Sequence, residues 1–240
     1  MGQTLSILLW NVMWRHRGNP AGDRVAALIH EADADLICLT EGFVDLLPAG
    51  GDVLTSDPDY GYGVKAGRHK VILWSRSAWQ KTDRLGNERL PKGRFAAGTT
   101  ATALGLLHVY GLCIPWSMAG VRRPEEPLRP WEAHRAYLAG LDEVLPRVMP
   151  GESIVLGDFN QHVPRRHAPL TVSDMLQTVI GRRMSIATQG TLDGFPGPVI
   201  DHLAYGPALG MTQVQPITPI GPGGEKLSDH VGLRLEVSRV

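Results

Sequence analysis

Short apolar runs of strand length dominate the chain, and helical patterns interrupt them at only three places. Such runs, bounded by turn-forming residues, are typical of buried strands. Strands that outnumber helices this heavily do not give the regular strand–helix alternation of a doubly wound parallel sheet. The pattern instead predicts two mixed β-sheets that pack on each other, with helices on the outer faces.

The predicted elements follow from this pattern of apolar runs and breaks. The clearest helix is amphipathic and starts at Trp131, and it stops before Pro150 and Gly151. The other predicted helices are Arg24–Glu31 and Thr171–Ile180. The predicted strands are Leu5–Val12, Asp35–Thr40, Tyr60–Val64, Val71–Trp74, Thr99–Leu107, Val109–Ile114, Ser153–Leu156, Met184–Ala187, Val199–Tyr205, Met211–Ile217 and Val231–Val237.

Composition places the chain among ordinary globular proteins and excludes several classes. Of 240 residues, 43% are hydrophobic and 20% charged, and no repeat or linker divides them, so one domain over residues 1–240 is expected. Basic and acidic residues balance at 24 each, so any surface that recruits a polyanion must be local. No apolar run is long enough to span a bilayer, and no signal peptide is recognised. The two cysteines, Cys38 and Cys113, lie in apolar stretches, which favours a reducing cytoplasmic setting.

Polar side chains follow several of these apolar strands directly. Each one alone could be a turn former. Together they are oxygen-bearing groups of the kind that hold a hard cation such as Mg²⁺, held at rigid strand ends. The spacing alone leaves two alternatives open, a metal-assisted hydrolase and a coincidence of turn residues. The residues concerned are Asn11, Glu41, Asp158, Asn160, Asp201, His202, Asp229 and His230.

These residues lie in motifs that resemble the endonuclease/exonuclease/phosphatase superfamily, which has the DNase I-like fold. In chain order the motifs are W-N, D-L-I-C-L-T-E, G-D-F-N-Q, I-D-H-L and L-S-D-H. They span Asn11 to His230, and the G-D-F-N and S-D-H motifs are fairly specific in combination. The resemblance implies an α/β (α+β) fold built as a four-layered sandwich, in which two packed mixed β-sheets are flanked by helices.

The resemblance also implies a role for each matching residue. Glu41 matches the glutamate that binds the divalent metal, Asn11 the amide beside it, and Asp229 a carboxylate near the metal. Asp158 matches the aspartate that orients or deprotonates the attacking water, and Asn160 its phosphate-contacting partner. His230 matches the histidine that binds or protonates a phosphate oxygen, and Asp201 the residue that orients this histidine. The implied cofactor is Mg²⁺ or Mn²⁺.

The chain departs from the family pattern at two positions. Met13 stands where some members carry an acidic residue, which makes a second metal site doubtful. Cys113 stands about where many members carry a histidine, and a packed thiol is favoured over a reactive one there. The candidate substrate contacts are Arg15, Arg17 and Trp116, through phosphate pairing and stacking.

The sequence therefore predicts a divalent-metal-dependent hydrolase of phosphoester bonds. A nuclease-type activity on short or single-stranded nucleic acid is the first hypothesis. A phosphatase or phosphodiesterase of a small metabolite or lipid headgroup is the alternative. A third hypothesis is a binding protein with weak catalysis on the same fold. The oligomeric state is left open.

Overall fold

The computed structural model describes residues 3–61, 63–122 and 125–240 of the chain. The helices are α1 (Pro20–Glu31), α2 (Glu132–Val144) and α3 (Leu170–Leu176), and a π-helical turn at Gln177–Gly181 continues α3. The strands are β1 (Thr4–Asn11), β2 (Leu36–Phe43), β3 (Asp52–Thr55), β4 (Arg68–Ser75), β5 (Trp79–Asp83), β6 (Phe95–Thr102), β7 (Gly105–Cys113), β8 (Ser153–Asp158), β9 (Ser185–Ile186), β10 (Asp201–Tyr205), β11 (Leu209–Ile217) and β12 (Gly232–Arg239).

The strands form two six-stranded mixed sheets. The first has the order β11-β12-β1-β2-β4-β3 and the second the order β5-β6-β7-β8-β10-β9. Each sheet contains one parallel pair near its centre, β1 with β2 in the first sheet and β7 with β8 in the second. The other neighbours in both sheets are antiparallel.

The two sheets pack face to face and the helices cover their outer faces. Apolar side chains of β1 and β2 from one sheet meet those of β7, β8 and β10 from the other in a central core. Helices α2 and α3 cover the outer face of the second sheet, and α1 covers that of the first. The expected sandwich of two mixed sheets flanked by helices is therefore confirmed.

Local chemistry moves several element boundaries away from their predicted positions. Helix α1 begins at Pro20 rather than Arg24, because the Asn19 side chain accepts a hydrogen bond from the Gly22 amide at 2.9 Å and caps the helix. The predicted break near His108 is wrong, since β7 runs unbroken from Gly105. Helix α2 ends at Val144, because Leu145 is extended ahead of a proline.

One predicted strand is wrong, and two strands were not predicted. No strand occupies the described part of residues 60–64, and β3 forms earlier, at Asp52–Thr55. Tyr62 itself lies outside the described residues. Strand β5 was missed because it is a mostly exposed edge strand that lacks an apolar run. Among the helices described, none is long and apolar enough to cross a membrane.

Candidate active site

The topology brings the polar strand ends to one edge of the sandwich. Asn11 ends β1 and Asp158 ends β8, each at the carboxyl end of a central parallel pair. Asp201 opens β10, which runs antiparallel to β8, so Asp201 pairs directly with Asp158. His230 immediately precedes the region where β12 begins its antiparallel pairing with β1. Residues from both sheets therefore meet at this edge.

Asp158 lies at the centre of this group and is almost completely buried. Its two carboxylate oxygens accept separate hydrogen bonds. The Asn11 side-chain amide donates to Oδ2 at 3.0 Å, and the Asn160 backbone amide donates to Oδ1 at 2.9 Å. These two donors hold the carboxylate in a fixed orientation.

The pKa of Asp158 is raised from 3.8 to about 7, chiefly because burial penalises the charged carboxylate. The negative charge of Asp201 on the neighbouring strand raises this pKa further, while the positive charge of His230 opposes the rise. A carboxyl group that titrates near neutrality is suited to accept a proton from a water molecule.

His230 and Asp201 form the second feature of the site. The Asp201 Oδ2 atom lies 2.5 Å from the His230 Nδ1 atom, and Asp201 is almost fully buried. Burial alone would lower the pKa of His230, but the charge and hydrogen bond of Asp201 raise it to about 10. At neutral pH the ring is therefore an imidazolium. Because Nδ1 is occupied, Nε2 is the nitrogen left to donate a proton or a hydrogen bond.

A buried serine fixes the backbone around His230. The Ser228 hydroxyl donates to the Asn11 carbonyl at 2.6 Å and accepts from the His230 amide at 3.1 Å. The Trp10 indole donates to the His230 carbonyl at 3.0 Å. Ser228 was not predicted as a site residue, although it lies within the L-S-D-H motif.

Glu41 lies on β2 and forms an ion pair with Lys70 of β4. The Lys70 ammonium also lies 4.8 Å from the centroid of the Trp14 ring, and Trp14 stacks on Tyr60 at 5.5 Å between ring centroids. The sequence did not single out Lys70. Glu41 and Asp158 are close enough for the charge of Glu41 to raise the pKa of Asp158.

Unusual backbone conformations cluster around these residues. Met13, Trp14, Glu41 and Asn160 have positive φ angles of 47°, 60°, 52° and 52°. A non-glycine residue in this region costs of order 1–3 kcal/mol, and such residues concentrate at functional sites. Gly157 has φ of +141°, and a Cβ atom there would lie 1.9 Å from the Leu112 carbonyl oxygen, so only glycine fits in front of Asp158.

The donor set fits a divalent cation. One atom from each of Asp158, Asp201 and His230 lies within 4.8 Å of the others. Because the protonated His230 ring has no lone pair for a metal, the oxygens are what this group offers to a cation. Asp201 Oδ1 is buried and finds no hydrogen-bond partner among the described residues, so a cation would satisfy it. Glu41 and Asn11 add oxygen ligands of the type that Mg²⁺ and Mn²⁺ prefer, although Glu41 must first release Lys70.

A cleft of about 340 Å³ opens onto this group. Asp201, Asp229 and His230 line it together with His162 and the segment 196–200. Asp229 is half exposed, and its Oδ1 lies 4.0 Å from His230 Nε2. His162 was not predicted as a site residue. Its pKa is lowered, first by burial and then by the charge of Arg166.

Cys113 ends β7 directly beside Asp158 and is fully buried. Burial raises the pKa of its thiol to about 12, despite the opposing positive charges of Lys70 and Arg94. A thiol with this pKa is almost entirely protonated at neutral pH and is a poor nucleophile. The structure therefore agrees with the packed thiol that the sequence favoured.

The three predicted substrate contacts differ in their surroundings. The Arg15 guanidinium donates to the carbonyls of Leu227 and Lys226, at 2.8 and 2.7 Å. The Arg17 guanidinium donates to the Asp45 carbonyl at 2.6 Å. Both would have to exchange these internal bonds to bind a phosphate. Trp116 is 56% exposed just after β7, free to stack on a ligand.

The sequence profile of the Endonuclease/Exonuclease/phosphatase family matches residues 8–230. The chain belongs to this family. Family members are metal-dependent phosphoesterases that include nucleases and phosphatases, so the family implies a hydrolase that acts on phosphoester bonds. No curated protein matches the chain in a sequence search.

Several solved structures share the DNase I-like fold of this family member. The catalytic domain of human Nocturnin, with a bound sulfate anion, is 19% identical with a TM-score of 0.67, over 99% of this chain and 95% of that one. A 3′ phosphatase from Neisseria, bound to a product DNA hairpin, is 18% identical with a TM-score of 0.67, over 96% and 98%. An endonuclease/exonuclease/phosphatase from Beutenbergia cavernae is 17% identical with a TM-score of 0.62, over 98% and 72%.

Proposed function

We propose that this family member is a divalent-metal-dependent phosphodiesterase with a nuclease-type activity on short or single-stranded nucleic acid. The observation that carries the proposal is the Asp201–His230 contact beside the buried carboxylate of Asp158. It places an imidazolium and a carboxyl group with a pKa of about 7 at the same edge of the fold. In-line displacement at phosphorus uses two such groups. The carboxylate accepts the proton of the attacking water, and the imidazolium stabilises the negative charge on the phosphate.

In this proposal Asp158 accepts the proton of the attacking water, and its deprotonated form is the active one. Asn11 and Asn160 hold the Asp158 carboxylate in orientation through their hydrogen bonds. The Asn160 side chain itself donates to the Ile114 carbonyl at 2.9 Å and would turn toward the phosphate when substrate binds. His230, kept protonated by Asp201, donates from Nε2 to a phosphate oxygen.

A bound Mg²⁺ or Mn²⁺ would neutralise negative charge on the phosphate. Glu41, Asn11 and Asp229 are the proposed ligands, and the buried Oδ1 atom of Asp201 is a further oxygen that faces no hydrogen-bond donor among the described residues. Asp158 is left free to accept the proton. We assign catalysis to a single domain over residues 1–240, because both sheets contribute residues to the site. The cytoplasmic setting stays a prediction, supported by two free and buried cysteines.

A Neisseria structure of this fold is a 3′ phosphatase bound to a DNA hairpin, which supports nucleic acid as the first substrate class to test. The exposed Trp116 indole could stack on an unpaired base. A small phosphorylated metabolite or a lipid headgroup is the alternative substrate class. A binding protein with weak catalysis is the third hypothesis.

The test is hydrolysis of a simple aryl phosphodiester and of a short single-stranded oligonucleotide, with Mg²⁺, with Mn²⁺ and with a chelator. Asp158→Asn and His230→Ala should each lower turnover at least ~10²-fold, the usual scale for removing acid–base or charge-stabilising groups. Asp142→Asn is a matched control, because its carboxylate pairs with Arg183 away from the site. Full activity in excess chelator, or in either site variant, would exclude the proposal. No hydrolysis of any phosphoester by the wild type would favour a binding protein.

A further inference from the structure

A second cavity, of about 410 Å³, lies beside the active site, and no role proposed above involves it. It is bounded by the segment 59–61, the residues before β6, the residues after β7 and the first turns of α2. Its volume lies within the range of roughly 300–1,000 Å³ that is usual for ligand pockets. Its walls combine apolar groups with cations, among them Tyr60, Pro91, Lys92, Arg94, Pro115 and Leu128.

Arg94 is the unusual member of this lining. The residue is only 9% exposed, yet no carboxylate of the described residues lies within 4.0 Å of its guanidinium. The guanidinium donates to the Cys113 carbonyl at 3.3 Å and to the Cys113 sulfur at 3.9 Å. A buried arginine without a counter-charge is costly, and the cost is recovered when an anion binds.

The position of Arg94 is fixed before any ligand arrives. Its carbonyl accepts hydrogen bonds from the Cys113 amide at 3.0 Å and from the Tyr137 hydroxyl at 2.8 Å. Tyr137 is fully buried in α2. Asp59, the acidic residue of the lining, accepts a hydrogen bond from the Gly61 amide at 3.0 Å and forms no ion pair with Arg94. The backbone of Arg94 is therefore held in place, its guanidinium is directed to Cys113, and Asp59 does not neutralise its charge.

Two walls of the pocket are connected to active-site residues. On one side, Pro115 follows Ile114, whose carbonyl accepts from the Asn160 side chain at 2.9 Å. His134 Nδ1 lies 2.7 Å from the Pro115 carbonyl and holds that wall in place. On the other side, Tyr60 stacks on Trp14, which lies against the Lys70 ammonium. Arg94 itself contacts the carbonyl of Cys113, the β7 residue that pairs with Asp158, so the pocket and the catalytic residues are neighbours.

We propose that this pocket binds a second phosphate group of the substrate together with the planar or apolar unit that carries it. Arg94 is the buried phosphate contact, since a guanidinium presents paired donors to phosphate oxygens, and the exposed Lys92 is the outer one. The apolar wall formed by Pro91, Pro115 and Leu128 receives the planar unit. The substrate class is thus a nucleotide-bearing phosphoester with two phosphates, from a nucleic-acid end or from a small nucleotide. This inference rests on the proposed function.

The first experiment measures binding without turnover. Tryptophan fluorescence is titrated with adenosine 5′-monophosphate, adenosine and inorganic phosphate in excess chelator, because Trp14 stacks on the pocket residue Tyr60. Arg94→Met should weaken binding of the nucleotide ~10–100-fold, the effect expected when a charged hydrogen-bond donor is removed. Arg94→Lys should retain part of the affinity, and adenosine should bind weakly to all variants.

Arg76→Met is the matched control, because Arg76 follows β4 and pairs with Asp33 and Asp35. It should bind the nucleotide like the wild type. If Arg94→Met distorts the fold, Lys92→Ala provides the second test, with a smaller loss of affinity because Lys92 is exposed. Unchanged nucleotide affinity in a folded Arg94→Met protein would overturn the proposal.

The second experiment measures kcat/KM for a dinucleotide with and without a terminal phosphate, for a longer oligonucleotide, and for an aryl phosphodiester with a single phosphate. The terminal phosphate should raise kcat/KM in the wild type and should no longer do so in Arg94→Met. The aryl phosphodiester should be nearly unaffected by this change. Equal losses on all substrates would contradict a phosphate-binding role. Preference for the oligonucleotide or for the dinucleotide identifies the source of the second phosphate.

The two experiments separate this inference from the proposed function. Nucleotide binding that depends on Arg94, without hydrolysis of any phosphoester, would support the pocket assignment and exclude the proposed enzymatic activity. Hydrolysis that depends on Asp158 and His230, without any effect of Arg94, would do the reverse.

Discussion

Replacement of Asp201 by asparagine tests the electrostatics of the site most directly. In the wild type, Asp201 Oδ2 lies 2.5 Å from His230 Nδ1, and the pKa of His230 is raised to about 10 against the effect of burial. The negative charge of Asp201 also raises the pKa of Asp158. The asparagine variant keeps the shape of the side chain and removes its charge, so both pKa values should fall.

The magnitude follows from the pKa of His230. A rise from 6.5 to about 10 corresponds to roughly 5 kcal/mol in favour of the imidazolium. The His230 side chain is only 15% exposed, so solvent screens little of this energy. Without Asp201, burial still lowers the pKa of His230 while the charges of Asp158 and Asp229 still raise it, so we expect a pKa of about 6.5, the ordinary value for histidine. At pH 8 only about one molecule in thirty would then carry the imidazolium, which lowers turnover roughly 30-fold.

The sign of the pH effect distinguishes this mechanism from general damage. Asp158 acts deprotonated, so wild-type activity should rise as the pH increases through about 7, and His230 acts protonated, so activity should fall above about 10. In Asp201→Asn both limbs of the pH–kcat/KM profile should move to lower pH. A bound cation would lower the acidic limb of both proteins and leave the comparison valid.

The assay is the pH–kcat/KM profile with an aryl phosphodiester, together with a nuclear magnetic resonance titration of the His230 ring. The ring titration does not depend on activity. Asp142→Asn removes a carboxylate of the Arg183 ion pair and should leave both limbs unchanged. If the His230 ring in Asp201→Asn still titrated above pH 9, or the basic limb did not move, the assigned pairing would be refuted.

Three further predictions concern the metal and the thiol. Glu41→Gln should weaken Mg²⁺ binding about tenfold or more in isothermal titration calorimetry and leave the thermal unfolding temperature nearly unchanged. Equal Mg²⁺ affinity in the wild type and the variant would exclude Glu41 as a ligand. Lys70→Met should strengthen Mg²⁺ binding about tenfold, because the Lys70 ammonium and the metal ion repel each other beside the Glu41 carboxylate. Weaker Mg²⁺ binding in this variant would show that Lys70 supports the metal instead. Cys113→Ala should lower the free energy of unfolding by about 1–3 kcal/mol in chemical denaturation and retain most of the activity. Rapid inactivation of the wild type by a thiol reagent, prevented by substrate, would contradict the packed role.

The site residues whose place in the fold the sequence could predict are those whose position depends on one strand. Asn11 and Asp158 end β1 and β8, and Asp201 opens β10, each within two residues of the strand boundary that the apolar run predicts. Their convergence could be predicted only through the family resemblance, because strand order is a property of the whole sheet. Strand β12 pairs with β1 across more than 200 residues of sequence.

The residues that the sequence missed depend on pairing between distant segments. Lys70 is one of several charged residues in the chain until β4 pairs with β2 and places its ammonium on Glu41. Arg94 precedes an apolar strand and resembles an ordinary surface arginine in sequence. Its burial comes from the packing of α2 and from the segment after β7. Neither environment leaves a periodic signal.

The placement of these cations explains how a neutral chain can recognise an anion. Basic and acidic residues are equal in number, so the protein has no net field to attract a polyanion from a distance. Within the site, however, Lys70 and Arg68 both lie over the Trp14 ring, with Arg68 3.9 Å from its centroid. The ring face attracts both cations, and the Glu41 carboxylate pairs with Lys70. The His230 imidazolium and Arg94 add positive charge close to the carboxylates of Asp158 and Asp201, so charges of both signs alternate over short distances. Because salt screens exposed charges beyond a Debye length, roughly 8–10 Å at moderate salt, the recognition of an anion and the discrimination between substrates must come from contacts inside the clefts.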